Sequence, residues 1–375
     1  MRVVVALTQP PLPEGGAAGR CALGLLRGLR EHGLDVHAVA ARQWFAVPGE
    51  PPADLGVEVV PVEREPRLRA HLHRWRRPRG ELGRGAYAAR IREAARDADV
   101  LHLEEVETTW SATGVGTPSV LHMHYLVRRD RAFGPPWAEQ FRVVLEFELA
   151  ERAALRRHRY LVASSPLVAD RLRARVPRAE VVVAPLSLDP RYYPPAPLNG
   201  PPTAGLIGTG AWPPTEQAVR RLVGRIWPLV RRQVPDARLV VAGRGTASLK
   251  GLAPEPGVEL VGEVPSGPAF LRGLSLLLFP LERGSGMKVK VLESIASGLP
   301  VVTTPTGAEG IDAGGGIVVE SDDEKLAAAA VEILGDEQGR RERGAAARAA
   351  FDRSYSPVPA TEPLVELYAR MAAAR

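Results

Sequence analysis

Strand and helix patterns alternate along this chain in two series, and a proline-rich run separates them. The run from Pro185 to Pro202 contains seven prolines and has no helical or strand periodicity, which is typical of a linker. Strand patterns that alternate with amphipathic helices predict parallel, doubly wound sheets. We therefore predict an α/β chain with domains at 1–190 and 203–356 and a linker at 191–202. A helix at 357–375 is expected to pack back towards the first domain.

The apolar periodicity predicts the strands and the longer helices. In the first series, strands are predicted at 3–7, 36–40, 57–62, 100–103, 119–122, 160–163 and 181–184. In the second, they are predicted at 205–208, 238–242, 258–261, 274–279, 301–303 and 316–319. The principal helices are predicted at about 138–157, 216–232, 288–297 and 357–371. Because such sheets bind ligands at the carboxyl ends of their strands, we expect a site in the cleft between the two domains.

The charge balance raises the question of a polyanionic partner. The chain has 49 Lys and Arg against 43 Asp and Glu, a net charge of +6 and a pI near 9.7. Basic residues cluster between Arg64 and Arg96, but acidic residues are interleaved and no zinc-finger or RNA-recognition signature is present, so we predict no nucleic-acid partner. The pattern favours a solvated, arginine-rich face and leaves peripheral contact with anionic lipid or an anionic substrate open.

Cysteine content and apolar runs indicate the compartment. The single Cys21 excludes internal disulfides and thiolate metal clusters. No apolar run approaches the roughly 18 residues that a membrane span needs, and the apolar start at Val3–Leu7 is too short for a signal peptide. These features predict a cytoplasmic protein.

The few lysines of the chain draw attention to one segment that contains two of them. Only four are present, and Lys288 and Lys290 lie two residues apart in the sequence LFPLERGSGMKVKVLE. We predict a buried strand, a Gly284–Gly286 loop and a helix beginning at about Met287. Exposed N–H groups at a helix N-terminus bind anions, and two lysines in the first turn oppose the helix dipole unless an anion is bound. The segment therefore predicts a diphosphate site, with Glu293 placed for ribose hydroxyls. The alternative is a solvated helix start with ordinary surface charges.

The stretch PLERGSGMKVKVLESIASGLPVVTTPTGAEGI resembles the donor-binding signature of the retaining glycosyltransferases of family 4, the glycosyl transferases group 1. The runs DVLHLEEVE, HMHY, WPPTEQAV and VGEVPS agree with the family in order. The resemblance implies a GT-B fold of two Rossmann-like domains that face each other across a cleft. It also implies a nucleotide-sugar donor bound by the C-terminal domain, a small-molecule or glycan acceptor bound by the N-terminal domain, and no metal or other cofactor.

Residue roles follow from this resemblance position by position. It implies that Glu293 holds the ribose, that His124 reaches the transferred sugar, and that Lys290 contributes to catalysis by neutralising the diphosphate. The implied donor contacts are Gly15, Gly16, Arg244, Val264, Ser285, Gly286, Met287, Lys288, Lys290 and Glu293. In such a retaining enzyme the acceptor attacks from the front face, so His124 is an orienting group and not an obligatory base.

The chain departs from the family pattern at two places. Ser285 stands where the family has a sugar-contacting glutamate, so the sugar cannot be inferred from that position. The usual Arg/Lys pair after the first strand of the C-terminal domain is missing from GTGAWPPTEQ. Lys288, Lys290 and Arg244 would have to supply that charge.

Other polar residues give weaker indications. Glu104, Glu105 and Glu107 follow a strand and are acceptor-site candidates. His122 and His124 could ligate a metal as an HxH pair, but no cysteine or third histidine is near in sequence, so no metal site is predicted. A nucleotide-sugar epimerase or hydrolase, or a non-catalytic nucleotide-sugar-binding protein, remains the alternative to a transferase.

Overall fold

A computed structural model describes residues 1–44, 46–63, 76–249, 251–252 and 255–374. The chain divides into two compact units. The first comprises Met1–Asp189 together with Ser356–Arg375, and the second comprises Pro190–Tyr355. Part of the basic stretch predicted to form a charged face, residues 64–75, lies outside the described residues.

The first unit contains a seven-stranded parallel sheet in the order β3-β2-β1-β4-β5-β6-β7. Its strands are β1 Arg2–Leu7, β2 Asp35–Arg42, β3 Glu58–Pro61, β4 Val100–Glu104, β5 Ser119–Met123, β6 Tyr160–Ala163 and β7 Glu180–Val183. Its helices are α1 Ala17–Glu31, α2 Gly85–Ala95, α3 Val127–Asp130, α4 Glu139–Leu155, α5 Pro166–Arg175 and the C-terminal helix, α12 Pro357–Ala373.

The C-terminal helix packs on α1 inside the first unit. Leu23, Leu26 and Leu29 form the buried stripe of α1, at the spacing that an amphipathic helix requires. Gly28 lets the two helices approach closely, because a Cβ at this position would overlap the carbonyl oxygen of Pro357.

The second unit contains a six-stranded parallel sheet in the order β10-β9-β8-β11-β12-β13. Its strands are β8 Thr203–Ile207, β9 Arg238–Ala242, β10 Val258–Gly262, β11 Leu276–Phe279, β12 Val301–Thr303 and β13 Ile317–Val319. Its helices are α6 Pro213–Arg221, α7 Trp227–Gln233, α8 Gly267–Arg272, α9 Val289–Ala296, α10 Asp323–Gly335 and α11 Glu337–Ser354.

The predicted α/β class and strand series are confirmed, and two helix predictions need correction. The helix predicted at 216–232 begins at Pro213 and is interrupted by a π-helical segment, Leu222–Ile226. Pro228, the second residue after this segment, lacks the N–H that regular helical hydrogen bonding uses. The helix predicted to begin at about Met287 begins at Val289, with Lys288 as its N-cap residue. Within the described residues, no helix is both long and apolar enough to cross a bilayer.

Candidate active site

In the second unit, the strand order reverses between β8 and β11, and ligands of doubly wound sheets bind at such a switch point. Lys290, in the first turn of α9, extends to this point. Its Nζ lies 3.4 Å from Thr215 Oγ1 and 4.6 Å from the centre of the Phe279 ring. A cation therefore stands between the carboxyl ends of the two strands that flank the switch.

Gly208 immediately follows β8 and makes room for this lysine. A Cβ at position 208 would lie 2.5 Å from Lys290 Nζ and 2.9 Å from Thr215 Cγ2. Lys290 thus reaches the loop from which the family's Arg/Lys pair is missing. The sequence did not single out Gly208 or Thr215, because their proximity to Lys290 depends on the packing of β8 beside β11.

The glycine loop before α9 contacts the carboxylate of Glu309. The N–H of Gly286 donates to Glu309 Oε1 at 2.8 Å, and Lys288 Nζ lies 3.8 Å from Glu309 Oε2. Lys288 also donates to the Gly286 carbonyl. Positive φ angles of 146° at Gly284 and 69° at Gly286 explain the two glycines. Lys288 and the loop amide, both predicted to contact a diphosphate, contact Glu309 in this structure.

The other loop residues lie inside the unit. Ser285 and Met287 are buried. Glu293 is 3% exposed and accepts a hydrogen bond of 2.9 Å from the Tyr193 hydroxyl. Tyr193 belongs to the proline-rich run, so the segment predicted to be only a linker supplies a partner for the predicted ribose-binding carboxylate.

Two further predicted donor contacts lie on other loops of the second unit. Arg244 follows β9, is 72% exposed in its side chain and lies 3.3 Å from Glu263. Val264 follows β10 and is half-buried. The Arg244 carbonyl accepts a hydrogen bond of 2.8 Å from the Gly210 N–H, so the loop that contains Arg244 lies beside the loop that follows β8.

In the first unit, the predicted glycine loop precedes α1. The Gly15 N–H donates to the Leu12 carbonyl at 3.0 Å. Gly16 is exposed and is the N-cap residue of α1, where no side chain caps the helix. The first N–H groups of an α-helix have no partner within the helix itself, and the Gln9 side chain lies against Gly16.

The carboxyl ends of β4 and β5 bring together a histidine–glutamate cluster, comprising His102, Glu104, His122 and His124. Glu104 Oε1 is 2.6 Å from His102 Nε2 and 2.8 Å from His122 Nδ1, and Glu104 Oε2 is 2.7 Å from His124 Nε2. His124 Nδ1 is 3.4 Å from Glu105 Oε1. The Tyr368 hydroxyl of α12 is 2.5 Å from His102 Nδ1. A charged network thus connects two strands and the C-terminal helix.

The pKa values in the cluster diverge because its members share one carboxylate. Burial opposes ionisation of Glu104, but His122, His124 and His102 outweigh it, and its pKa lies well below the ordinary value. Burial lowers the pKa of His122 to about 4. Burial also disfavours charge on His124, but Glu104 and Glu105 raise its pKa to about 10. The cluster at neutral pH therefore contains a His124 imidazolium paired with a Glu104 carboxylate.

This geometry corrects the acceptor-site prediction. Glu104 is 5% exposed and bound by histidines, so it does not face a ligand. Glu105 and Glu107 instead line a small pocket with His124 and Tyr125. Glu107 is 3.5 Å from Arg79, and its pKa is raised by burial and by the charge of Glu105. Glu105 has a φ of 64°, a conformation that non-glycine residues adopt at a cost.

The cluster also bears on the metal prediction. Ligand atoms of His102, Glu104 and His122 lie within 4.8 Å of one another, so folding supplies the third group that the linear sequence did not show. These atoms already meet at hydrogen-bond distances of 2.6 and 2.8 Å. A shared zinc ion at about 2.0–2.2 Å from each ligand would require them to separate. In this structure hydrogen bonds connect the three groups, and the prediction of no metal stays a prediction.

Family models match both units. The model described as "Glycosyl transferase 4-like domain" matches residues 16–187, and "Glycosyl transferases group 1" matches residues 201–336. The chain belongs to the glycosyl transferases group 1. As a glycosyltransferase of family 4, it transfers a sugar from a nucleotide-sugar donor. None of the curated proteins matches it significantly.

Solved structures similar to this family-4 glycosyltransferase share its GT-B fold over the full length. Sucrose-phosphate synthase from Thermosynechococcus elongatus is 16% identical, with a TM-score of 0.71 and 100% of each chain covered. HepE from Anabaena, in complex with UDP and glucose, is 15% identical, with a TM-score of 0.65 and 98% of this chain and 99% of that chain covered. A TarM mutant from S. aureus, in complex with Fondaparinux, alpha-GlcNAc-glycerol and UDP, is 9% identical, with a TM-score of 0.67 and the same coverage.

Proposed function

We propose that this glycosyltransferase moves a hexose from UDP to an acceptor hydroxyl with retention of configuration and without a metal ion. The position of Lys290 carries the proposal. Its ammonium group lies at the switch point of the second sheet, beside Gly208 and Thr215. UDP in the complexes of HepE and TarM supports uridine as the base. The acceptor class is a natural product or a cell-envelope glycan.

In this proposal, Lys290 stabilises the leaving group. As the glycosidic bond breaks, negative charge develops on the departing diphosphate, and a preorganised cation at that position lowers the barrier directly. The N-terminus of α9 adds a favourable dipole. Lys288 has a different role, because its contacts with Glu309 and Gly286 hold the glycine loop in shape. Glu293, oriented by Tyr193, accepts hydrogen bonds from the ribose hydroxyls.

In this proposal, the first unit binds the acceptor. A His124 imidazolium held by Glu104 and Glu105 provides fixed positive charge next to the pocket of Glu105 and Glu107. Front-face attack by the acceptor leaves its proton with the departing phosphate oxygen, so no side chain has to act as general base. His124 then acts through orientation and electrostatics.

Product analysis tests this proposal. The protein is incubated with labelled UDP-, GDP- and dTDP-sugars, with and without an acceptor panel, in EDTA. We expect acceptor-dependent transfer from a UDP-sugar with retained anomeric configuration. Conversion without acceptor would indicate an epimerase or hydrolase, and binding without turnover would indicate a non-catalytic protein. Activity that requires added divalent metal would contradict the role given to Lys290.

A further inference from the structure

An arginine-lined pocket of about 800 Å³ opens in the first unit. Six arginines line it: Arg152, Arg156, Arg157, Arg159, Arg175 and Arg178. No acidic residue is among the described lining residues. The pocket is far too large for a single water molecule, and its lining has the composition of an anion-binding site.

The pocket lies at the amino-terminal ends of the strands, whereas the histidine–glutamate cluster lies at the carboxyl ends. Its arginines lie in the last turns of α4 and α5 and in the connections that lead from these helices into β6 and β7, where the two strands begin. The cluster follows β4 and β5 at their carboxyl ends. Because all seven strands are parallel, a ligand in the arginine pocket occupies a different place from a substrate of the transfer reaction.

Most of the arginine charge in the pocket is not neutralised by carboxylates. Arg152 is 2.6 Å from Glu148, and Arg175 pairs with Glu151. Among the described residues, no carboxylate lies within ion-pair distance of Arg156, Arg159 or Arg178. The guanidinium of Arg157 instead lies 4.2 Å from the centre of a Trp110 ring.

Helix capping accounts for only part of this arrangement. Cations are favoured at helix C-termini, which explains Arg152 and Arg156 at the end of α4 and Arg175 at the end of α5. Arg159 and Arg178 lie outside both helices. Their convergence on one concavity adds like-charge repulsion that a bound anion would relieve.

A buried histidine in the pocket provides a second, independent observation. His158 is 6% exposed, and its Nδ1 lies 3.0 Å from the Ser119 hydroxyl. Its Nε2 is buried without a hydrogen-bond partner. Buried polar atoms are rarely left unpaired. His158 lines the same pocket as the six arginines, so an unpaired imidazole nitrogen and the arginine charge occur at one place.

We propose that the pocket binds a phosphate-bearing anion. Guanidinium groups match phosphate oxygens in bidentate geometry, and several converging arginines favour a group that carries two or more negative charges. The phosphate can belong to a lipid headgroup at a membrane surface or to a free phosphate compound. Either ligand is distinct from the nucleotide-sugar donor, so this inference does not depend on the proposed donor site.

Calorimetry with pyrophosphate tests the pocket in the full-length protein. UDP is present at saturation so that the switch-point site in the second unit is occupied. We expect saturable pyrophosphate binding that weakens at least tenfold in the double variant R156Q/R178Q and weakens further with added salt. The matched control is R96Q/R171Q, which removes two exposed arginines of the same unit, including Arg96, the C-cap residue of α2. The control should bind within twofold of wild type.

Vesicle co-sedimentation separates the two sources of the phosphate. Binding to phosphatidylglycerol vesicles, but not to phosphatidylcholine vesicles, that is lost in R156Q/R178Q alone would support a lipid headgroup. Pyrophosphate binding without vesicle binding would support a free phosphate compound. If wild type binds neither probe, or if both double variants lose binding equally while their melting temperatures stay at the wild-type value, the proposal is wrong.

Discussion

Two buried glutamates, one in each unit, differ in what surrounds them. Glu104 and Glu293 are 5% and 3% exposed. Glu104 lies against three histidine rings and raises the pKa of His124, whereas Glu293 accepts a hydrogen bond from the neutral hydroxyl of Tyr193. The comparison shows how the same residue type serves different ends. Glu104 takes part in an internal ion pair with His124, and Glu293, the carboxylate that we propose for the ribose hydroxyls, is held by a neutral group.

The same substitution at both glutamates should separate these roles most clearly. We expect E104Q to lower the free energy of unfolding by about 3–5 kcal/mol, because it leaves the His124 charge buried without its carboxylate. E293Q should cost about 1 kcal/mol or less, because the glutamine oxygen can still accept the hydrogen bond from Tyr193, while weakening UDP binding. Urea denaturation and calorimetry measure the two effects. Equal stability losses would contradict the distinction.

The stability of the first unit should depend on pH through His124. The pKa of His124, about 10, lies above the ordinary 6.5. The free energy of unfolding that protonated His124 contributes is therefore complete below pH 6.5 and is lost as pH rises through 10. We expect a loss on the order of 3 kcal/mol between pH 6.5 and 10, somewhat less than in E104Q because neutral His124 can still donate a hydrogen bond. Urea denaturation across this range is compared in wild type and H124Q. A wild-type slope no steeper than that of H124Q would contradict the pairing.

The two lysines of the second unit should have unequal effects on donor binding. K290A should weaken UDP binding by at least about 1.5 kcal/mol, or more than tenfold, because it removes a charge-assisted contact. K288A is the matched control, and we expect it to lower the melting temperature more than the affinity, since Lys288 pairs with Glu309. Calorimetry with UDP gives the affinities. An unchanged affinity in K290A would remove the phosphate role from this residue.

The smallest predicted effect concerns the tyrosine that joins the C-terminal helix to the cluster. Y368F should cost about 1 kcal/mol of stability, because His102 loses its partner on α12. Y87F is the control variant and should lower the free energy of unfolding by a similar amount, because it removes the hydrogen bond of 3.0 Å from the buried Tyr87 hydroxyl to the Leu7 carbonyl. Only Y368F should alter the pH dependence of stability between pH 6.5 and 10. If Y87F alters it equally, the link from Tyr368 to the cluster has no electrostatic effect.

Much of the architecture could be predicted from local patterns. The strands predicted at 160–163, 238–242 and 301–303 have the observed bounds, because turn residues flank these short buried runs on both sides. The helix predicted to begin at about Met287 begins two residues later, at Val289, because the glycines that precede it are compatible with either boundary. The side-chain partners could not be predicted in the same way. Tyr193 and Glu309 carry no sequence signal for their contacts with Glu293 and Gly286.

The sequence by itself determined the α/β class, the two series of strands and the glycine–lysine segment of a family-4 glycosyltransferase. These depend on periodicity and residue spacing, which are local properties. Only the tertiary structure decided that Lys290 stands at the switch point and that Lys288 pairs with Glu309. It also placed Glu104 among three histidines instead of facing an acceptor. The physical reason is that ion pairing and burial depend on which strands become neighbours, and strand order is set by packing of the whole sheet.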